Sequence, residues 1–150
     1  MSGSFEGDLI RPLGLLTLNF GYAEAQVNFL LDILRSGGLP VDVPATAPLG
    51  QRVLAFVAAV KPLKCAGAVE VVTILEESKS LIDHRNSLVH ASVLAKGHVV
   101  PNDPSKSSFT VTPERITSLA DQVFTWKERL NAAVQLRLVP ALRQRSSNGT

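Results

Sequence analysis

The chain has a single cysteine, Cys65, among its 150 residues. That excludes an intrachain disulfide framework and any zinc cluster built on cysteine, and it fits a reducing cytoplasm. Histidine is scarce as well. His84, His90 and His98 are the three present, and no two of them have the four-residue spacing of a helical metal pair, so neither a metal nor another cofactor is expected. Glycine-rich phosphate loops of the dinucleotide or triphosphate type are absent. The chain lacks long apolar runs too: the charge-free stretches Pro12 to Ala23 and Val53 to Val60 are too short to span a bilayer. Glu6 and Asp8 precede the first basic residue, Arg11, which reverses the order of a signal peptide. A cytoplasmic protein with no membrane partner is the expectation. With one tryptophan, one tyrosine and six phenylalanines, few rings are available for reading bases by stacking.

Charge of one sign is also lacking. Fifteen basic and thirteen acidic residues leave a net charge of +2, which announces no nucleic-acid binder on its own. Placement says more. From Lys127 to Arg145 five basic residues (Lys127, Arg129, Arg137, Arg143, Arg145) face one acid, Glu128. The segment reads either as a solvated helix face with a loose tail or as an electrostatic track for an RNA backbone.

What is present is helical periodicity at globular composition, 45% hydrophobic and 19% charged. Leu16, Phe20, Ala23, Val27, Leu30 and Leu34 alternate steps of four and three residues, the seam of a long helix. Arg35-Ser36-Gly37-Gly38 ends it, with glycine free to take the left-handed C-cap, and Pro40, Pro44 and Pro48 mark a surface loop over 37–48. A short helix with Val53, Phe56, Val57 and Val60 inward stops at Pro62. A third helix runs from about Cys65 to about Val93. Its stripe is Val71, Leu75, Ser78, Ile82, Arg85, Val89, so an arginine enters the seam near the C-terminal end. Over 97–112, Val99-Val100 and Phe109-Thr110-Val111 predict a short β-hairpin or an irregular loop. Thr112-Pro113-Glu114 opens the last helix as N-cap, first helical residue and first-turn acid, and Ile116, Leu119, Val123, Trp126, Leu130 and Ala133 carry its seam. The expected class is all-α on one core: residues 1–12 as a lead, 13–140 as a single helical domain, and 141–150 as a basic, disordered tail.

Chemistry concentrates in Asp83-His84-Arg85-Asn86-Ser87-Leu88-Val89-His90. Asn86 and His90 are four apart and share a helix face, while Arg85 stands about 100° round. An arc of that width suits a cleft made by two helix surfaces, such as one from each subunit of a dimer. Arginine offers a permanently charged fork matched to phosphate oxygens. Histidine exchanges a proton near neutrality, and the C-terminal end of a helix favours its cation. Asparagine donates or accepts without titrating. These parts suffice for phosphodiester cleavage without a metal. Each also has a plainer role: Arg85 reaching a carboxylate such as Glu24, His90 capping carbonyls, Asn86 facing water.

Arg85-Asn86-x-x-x-His90, near the end of a long core helix, resembles the arginine, polar residue, spacer, histidine signature of the HEPN superfamily. The likeness covers the helical body, roughly 13 to 138, and its specific part is six residues long. The resemblance implies a HEPN-like four-helix bundle and a homodimer with facing motifs. It also implies metal-independent endoribonuclease activity that leaves a 2′,3′-cyclic phosphate and a 5′-hydroxyl. His90 would be the general acid/base, Arg85 the stabiliser of charge on phosphorus, and Asn86 the orienting group, with Glu24 on the first helix and His84 as substrate-binding residues. Many relatives act in toxin-antitoxin or antiviral defence systems, which makes an antitoxin protein a further expected partner, and some have lost catalysis and serve as binding or scaffold domains.

Overall fold

The computed structural model describes residues 3–89, 92–93, 98–100 and 109–148, with the side chains of 9–88 and 111–146. Among them run α1 (Gly3–Ser36), α2 (Leu49–Val60), α3 (Ala66–Val89), α4 (Pro113–Ala133) and α5 (Val139–Asn148). Three strands of two or three residues, β1 (Ser92–Val93), β2 (His98–Val100) and β3 (Phe109–Thr110), pair antiparallel in chain order. The register sets Val93 opposite Val99 and Val99 opposite Phe109. The class is all-α.

The seam of α1 begins earlier than the periodicity from Leu16 suggests. Pro12 and Leu9 are buried one and two steps before it, so the stretch expected as a lead is the first part of the helix from Gly3 onward. Pro12 removes one backbone donor, but its ring lies on the buried stripe and the helix passes through it. At the other end the backbone closes as a Schellman turn. Gly38 takes φ +87°, its N–H donates to Arg35, and the Leu39 N–H donates to the carbonyl of Leu34.

The expected disordered tail is also helical as far as Asn148. Between α4 and α5 the residues Val134–Leu138 form a π turn, with the Val139 N–H donating to Val134. A proline ring normally collides with the carbonyl four residues before it. The wider π turn relieves that collision at Pro140, so the chain continues as helix through Arg143 and Arg145. Gly149 and Thr150 lie outside the described residues.

The chain divides into two compact units, Met1–Gly21 with Ser80–Phe124, and Tyr22–Lys79 with Thr125–Thr150. In the first, Leu16, Phe20, Leu88, Val111, Ile116 and Val123 are buried, and the buried Asn19 amide donates to the carbonyl of Ala120 at 2.9 Å. Thr112 caps α4 as its position predicts, its Oγ1 accepting from the Arg115 N–H at 3.2 Å.

In the second unit Val27, Leu30, Leu34, Phe56, Val71, Leu75 and Leu130 form the core. Each fully buried leucine contributes ~1.5–3 kcal/mol relative to exposure. Trp126 is buried in this core and its indole N–H donates to the Ile74 carbonyl at 2.7 Å, meeting the need of a buried indole for an acceptor. Arg52 is buried among apolar neighbours of α2 and binds four acceptors: the carbonyl of Ala47 at 2.8 Å, the carbonyl of Glu24 at 3.3 Å, Asn28 Oδ1 at 2.8 Å and Glu24 Oε2 at 2.9 Å. With Arg35, whose guanidinium donates to the carbonyls of Val41 and Val43, it fastens the proline-rich 37–48 loop at both ends.

Candidate functional site

The last two turns of α3 belong to the first unit. Leu88 anchors them in its core, and the Ser87 hydroxyl turns back to the Asp83 carbonyl at 3.0 Å. With Leu88 turned inward, helical geometry spreads His84, Arg85 and Asn86 over successive 100° steps. Arg85 is half-buried. Its guanidinium carbon stands 5.2 Å from the centroid of the buried Phe20 ring of α1, and its Nη1 donates to Asn86 Oδ1 at 3.1 Å. A guanidinium over a ring face gains roughly 0.5–2 kcal/mol according to how far it is desolvated. The arrangement fixes the plane of the fork while one part of the side chain stays at the surface.

The structure thus brings Arg85 and Asn86 together. His90 lies outside the described residues, as do the side chain of His98 and most of the predicted hairpin segment. Glu24 belongs to the other unit, where its carboxylate accepts from Arg52 at 2.9 Å and its backbone carbonyl accepts from the same guanidinium.

His84 is exposed and lines a cleft of about 400 Å³ that Arg85 does not line. Leu88 of α3, Val111, and Arg115, Ser118, Leu119 and Gln122 of α4 form the rest of its lining. The Gln122 side-chain amide donates to the Ser118 hydroxyl at 3.3 Å.

The C-terminal basic segment is more neutralised than the linear charge count implies. Arg129 donates to both oxygens of Glu77, at 2.6 and 3.3 Å, Arg137 pairs with Glu70, and Lys127 pairs with Glu128 at 2.9 Å while lying 6.0 Å from the Tyr22 ring centre. The hydrogen bond that Arg129 donates to Glu77, with the nearby carboxylate charges, raises the Arg129 pKa above its ordinary value, so its charge is constant over any working pH.

Sequence reasoning missed Arg52 and the α4 side of the cleft. The signal for Arg52 was its place as the one charged residue in Leu49–Val60. For the cleft it was the three-and-four spacing of Arg115, Ser118 and Gln122, which sets three polar side chains on one face of α4. Among the described residues no three of histidine, cysteine, aspartate or glutamate gather as a metal site, and no helix is long and apolar enough to cross a membrane. Comparison of the chain with protein-family models, curated proteins and solved structures finds no match.

Proposed function

We propose that this protein is a metal-independent endoribonuclease of HEPN-like bundle architecture, acting as a cytoplasmic homodimer in which two Arg85-Asn86-x-x-x-His90 motifs face one RNA strand. The observation that carries the reading is the seating of Arg85. Its fork is held by a ring face on one side and by the Asn86 oxygen on the other, at the surface end of a core helix.

In the proposed reaction the ribose 2′-hydroxyl attacks the adjacent phosphorus and the bond from phosphorus to the 5′-oxygen breaks. His90 takes the hydroxyl proton or delivers one to the leaving oxygen. Arg85 offsets the extra negative charge on the non-bridging oxygens, and Asn86 holds the guanidinium in register. The products are a 2′,3′-cyclic phosphate and a 5′-hydroxyl. A role in a toxin-antitoxin or defence system, with an antitoxin protein as partner, is the biological setting that this activity suits.

The test is cleavage of single-stranded RNA in EDTA by wild type, His90→Ala and Arg85→Ala. Both variants should lose ~10²–10⁴-fold in rate, with cyclic phosphate as the wild-type product. Equal cleavage by all three, or none by any, refutes the reading, and a monomer by light scattering removes the facing-motif dimer.

A second reading, a non-catalytic helical dimer that binds nucleotide, RNA or a protein partner, draws on the same contacts, because Phe20 and Asn86 give Arg85 internal company. RNA affinity without cyclic-phosphate product would establish it.

A further inference from the structure

We propose that the cleft between the end of α3 and the first turns of α4 binds a nucleoside phosphate. The base would lie on the floor and the phosphate at the rim between His84 and Arg115. The inference builds on the RNA reading above and gives the substrate a point of attachment separate from the cleavage residues.

The cleft has the composition of a ligand site. Its floor is apolar and buried: Leu88, Val111 and Leu119 are each 6% exposed. Its rim is polar and exposed: His84 on one side, and Arg115, Ser118 and Gln122 on the other. Its volume, about 400 Å³, lies within the ~300–1,000 Å³ of small-ligand pockets, which combine mostly apolar walls with a few placed polar groups. A planar base has two apolar faces for such a floor, and donors and acceptors at its edge for a hydroxyl and an amide. Gln122 spends one amide hydrogen on Ser118, and its carbonyl oxygen remains an acceptor for a base or ribose donor.

Arg115 supplies the anion preference. Arg35, Arg52, Arg129 and Arg137 each pair with a carboxylate. Among the described residues the Arg115 guanidinium has no such partner, and the adjacent Glu114 does not line the cleft. Arg115 also sits in the first turn of a 21-residue helix, where the helix dipole favours negative charge. A fork with no carboxylate partner among the described residues, at that helix end and over an apolar floor, matches a phosphate tethered to a ring.

The experiment measures anisotropy of a fluorescein-labelled 2′-O-methyl oligonucleotide, which has no nucleophilic hydroxyl and cannot be cleaved by the proposed route. Arg115→Ala and Ser118→Glu change exposed side chains, and a urea midpoint confirms that each variant folds. Arg115→Ala should weaken binding about tenfold, the size of one charge-assisted contact. Ser118→Glu, which sets a carboxylate three residues from Arg115 on the same face, should weaken it at least as much. Arg11→Ala removes an exposed charge of the same unit away from the cleft and should change binding less than twofold.

Competition by adenosine monophosphate would show that the cleft takes a free nucleotide, whereas loss in the two variants without competition assigns it to the RNA chain. No binding by wild type, variants that bind like wild type, or equal loss in Arg11→Ala overturns the proposal. Wild type that binds with this pattern yet fails to cut unmodified RNA sinks the nuclease and leaves the cleft standing.

Discussion

Two glycine-to-alanine substitutions should move stability in opposite directions. Gly67 is buried in the first turns of α3, and a Cβ built there lies 2.9 Å from the Arg137 carbonyl oxygen, 3.0 Å from its carbon and 3.2 Å from the Leu138 nitrogen. All three atoms are backbone of the π turn, and ordinary contact begins near 3.4 Å. Two backbones would have to part by about 0.5 Å in a close-packed interior. Overpacking of that kind costs ~1–3 kcal/mol, whereas the alanine preference gained at a helix start is below ~1 kcal/mol, so the clash wins. Gly21, exposed in the middle of α1, has nothing within 4 Å of its Cβ position, and alanine there should stabilise by ~0.5–1 kcal/mol. Urea titration should therefore separate Gly67→Ala from Gly21→Ala by about 2 kcal/mol, and melting should separate them by about 4–8 °C. A Gly67→Ala protein as stable as wild type refutes the close approach of the π turn to α3. A Gly21→Ala protein that loses stability shows that something covers that face of α1.

Two further substitutions test the internal charges. Arg52→Met keeps an apolar stem but withdraws the donors from Asn28 and the Ala47 carbonyl; it should cost ~2–3 kcal/mol by urea titration and speed thermolysin cleavage within 37–48. An unchanged midpoint and cleavage rate would mean that the arginine does not fasten the loop. The Glu70→Gln/Glu77→Gln double variant releases Arg137 and Arg129, so it should bind single-stranded RNA more tightly at low salt and steepen the salt dependence by about one unit of log-log slope. The same slope as wild type would mean that these arginines face no RNA with or without their carboxylates.

Features whose cause lies within a few residues were legible in the chain. The Gly37-Gly38 stop, the Thr112-Pro113 start and the inward face of Trp126 each follow from local geometry or from a periodic pattern, and the structure repeats them. Features whose cause lies across the fold were not. The expected bounds of the helical domain, 13 and 140, fall at or beside Pro12 and Pro140, where a proline's penalty is local, while the buried stripe and the π turn that carry the helix past them are not. Arg129 and Arg137 read as a basic run because their carboxylates, Glu77 and Glu70, come from α3, more than fifty residues earlier. Arg52 could be recognised as anomalous in an apolar helix, but its partners Glu24 and Asn28 could not be named.

The arginine in the α3 stripe stands where the seam nears solvent, which lowers the cost of a polar residue there. Val71 and Leu75 are fully buried and Ser78 is 3% exposed, while Ile82 and Arg85 are only half-buried. The stripe therefore rises toward solvent as it approaches position 85. A guanidinium at Val71 would carry the full cost of desolvation; at position 85 the stem covers apolar surface while part of the side chain remains in reach of water. The Phe20 ring beneath it rewards charge rather than excluding it, and Asn86, one residue on, supplies an oxygen where a leucine would supply none. A lysine at 85 would keep the charge and the stem but lose the planar fork that lies on the ring while bonding sideways to Asn86. The position thus holds a charge whose fork is oriented by the ring and by Asn86, as the proposed phosphate-recognising role would need.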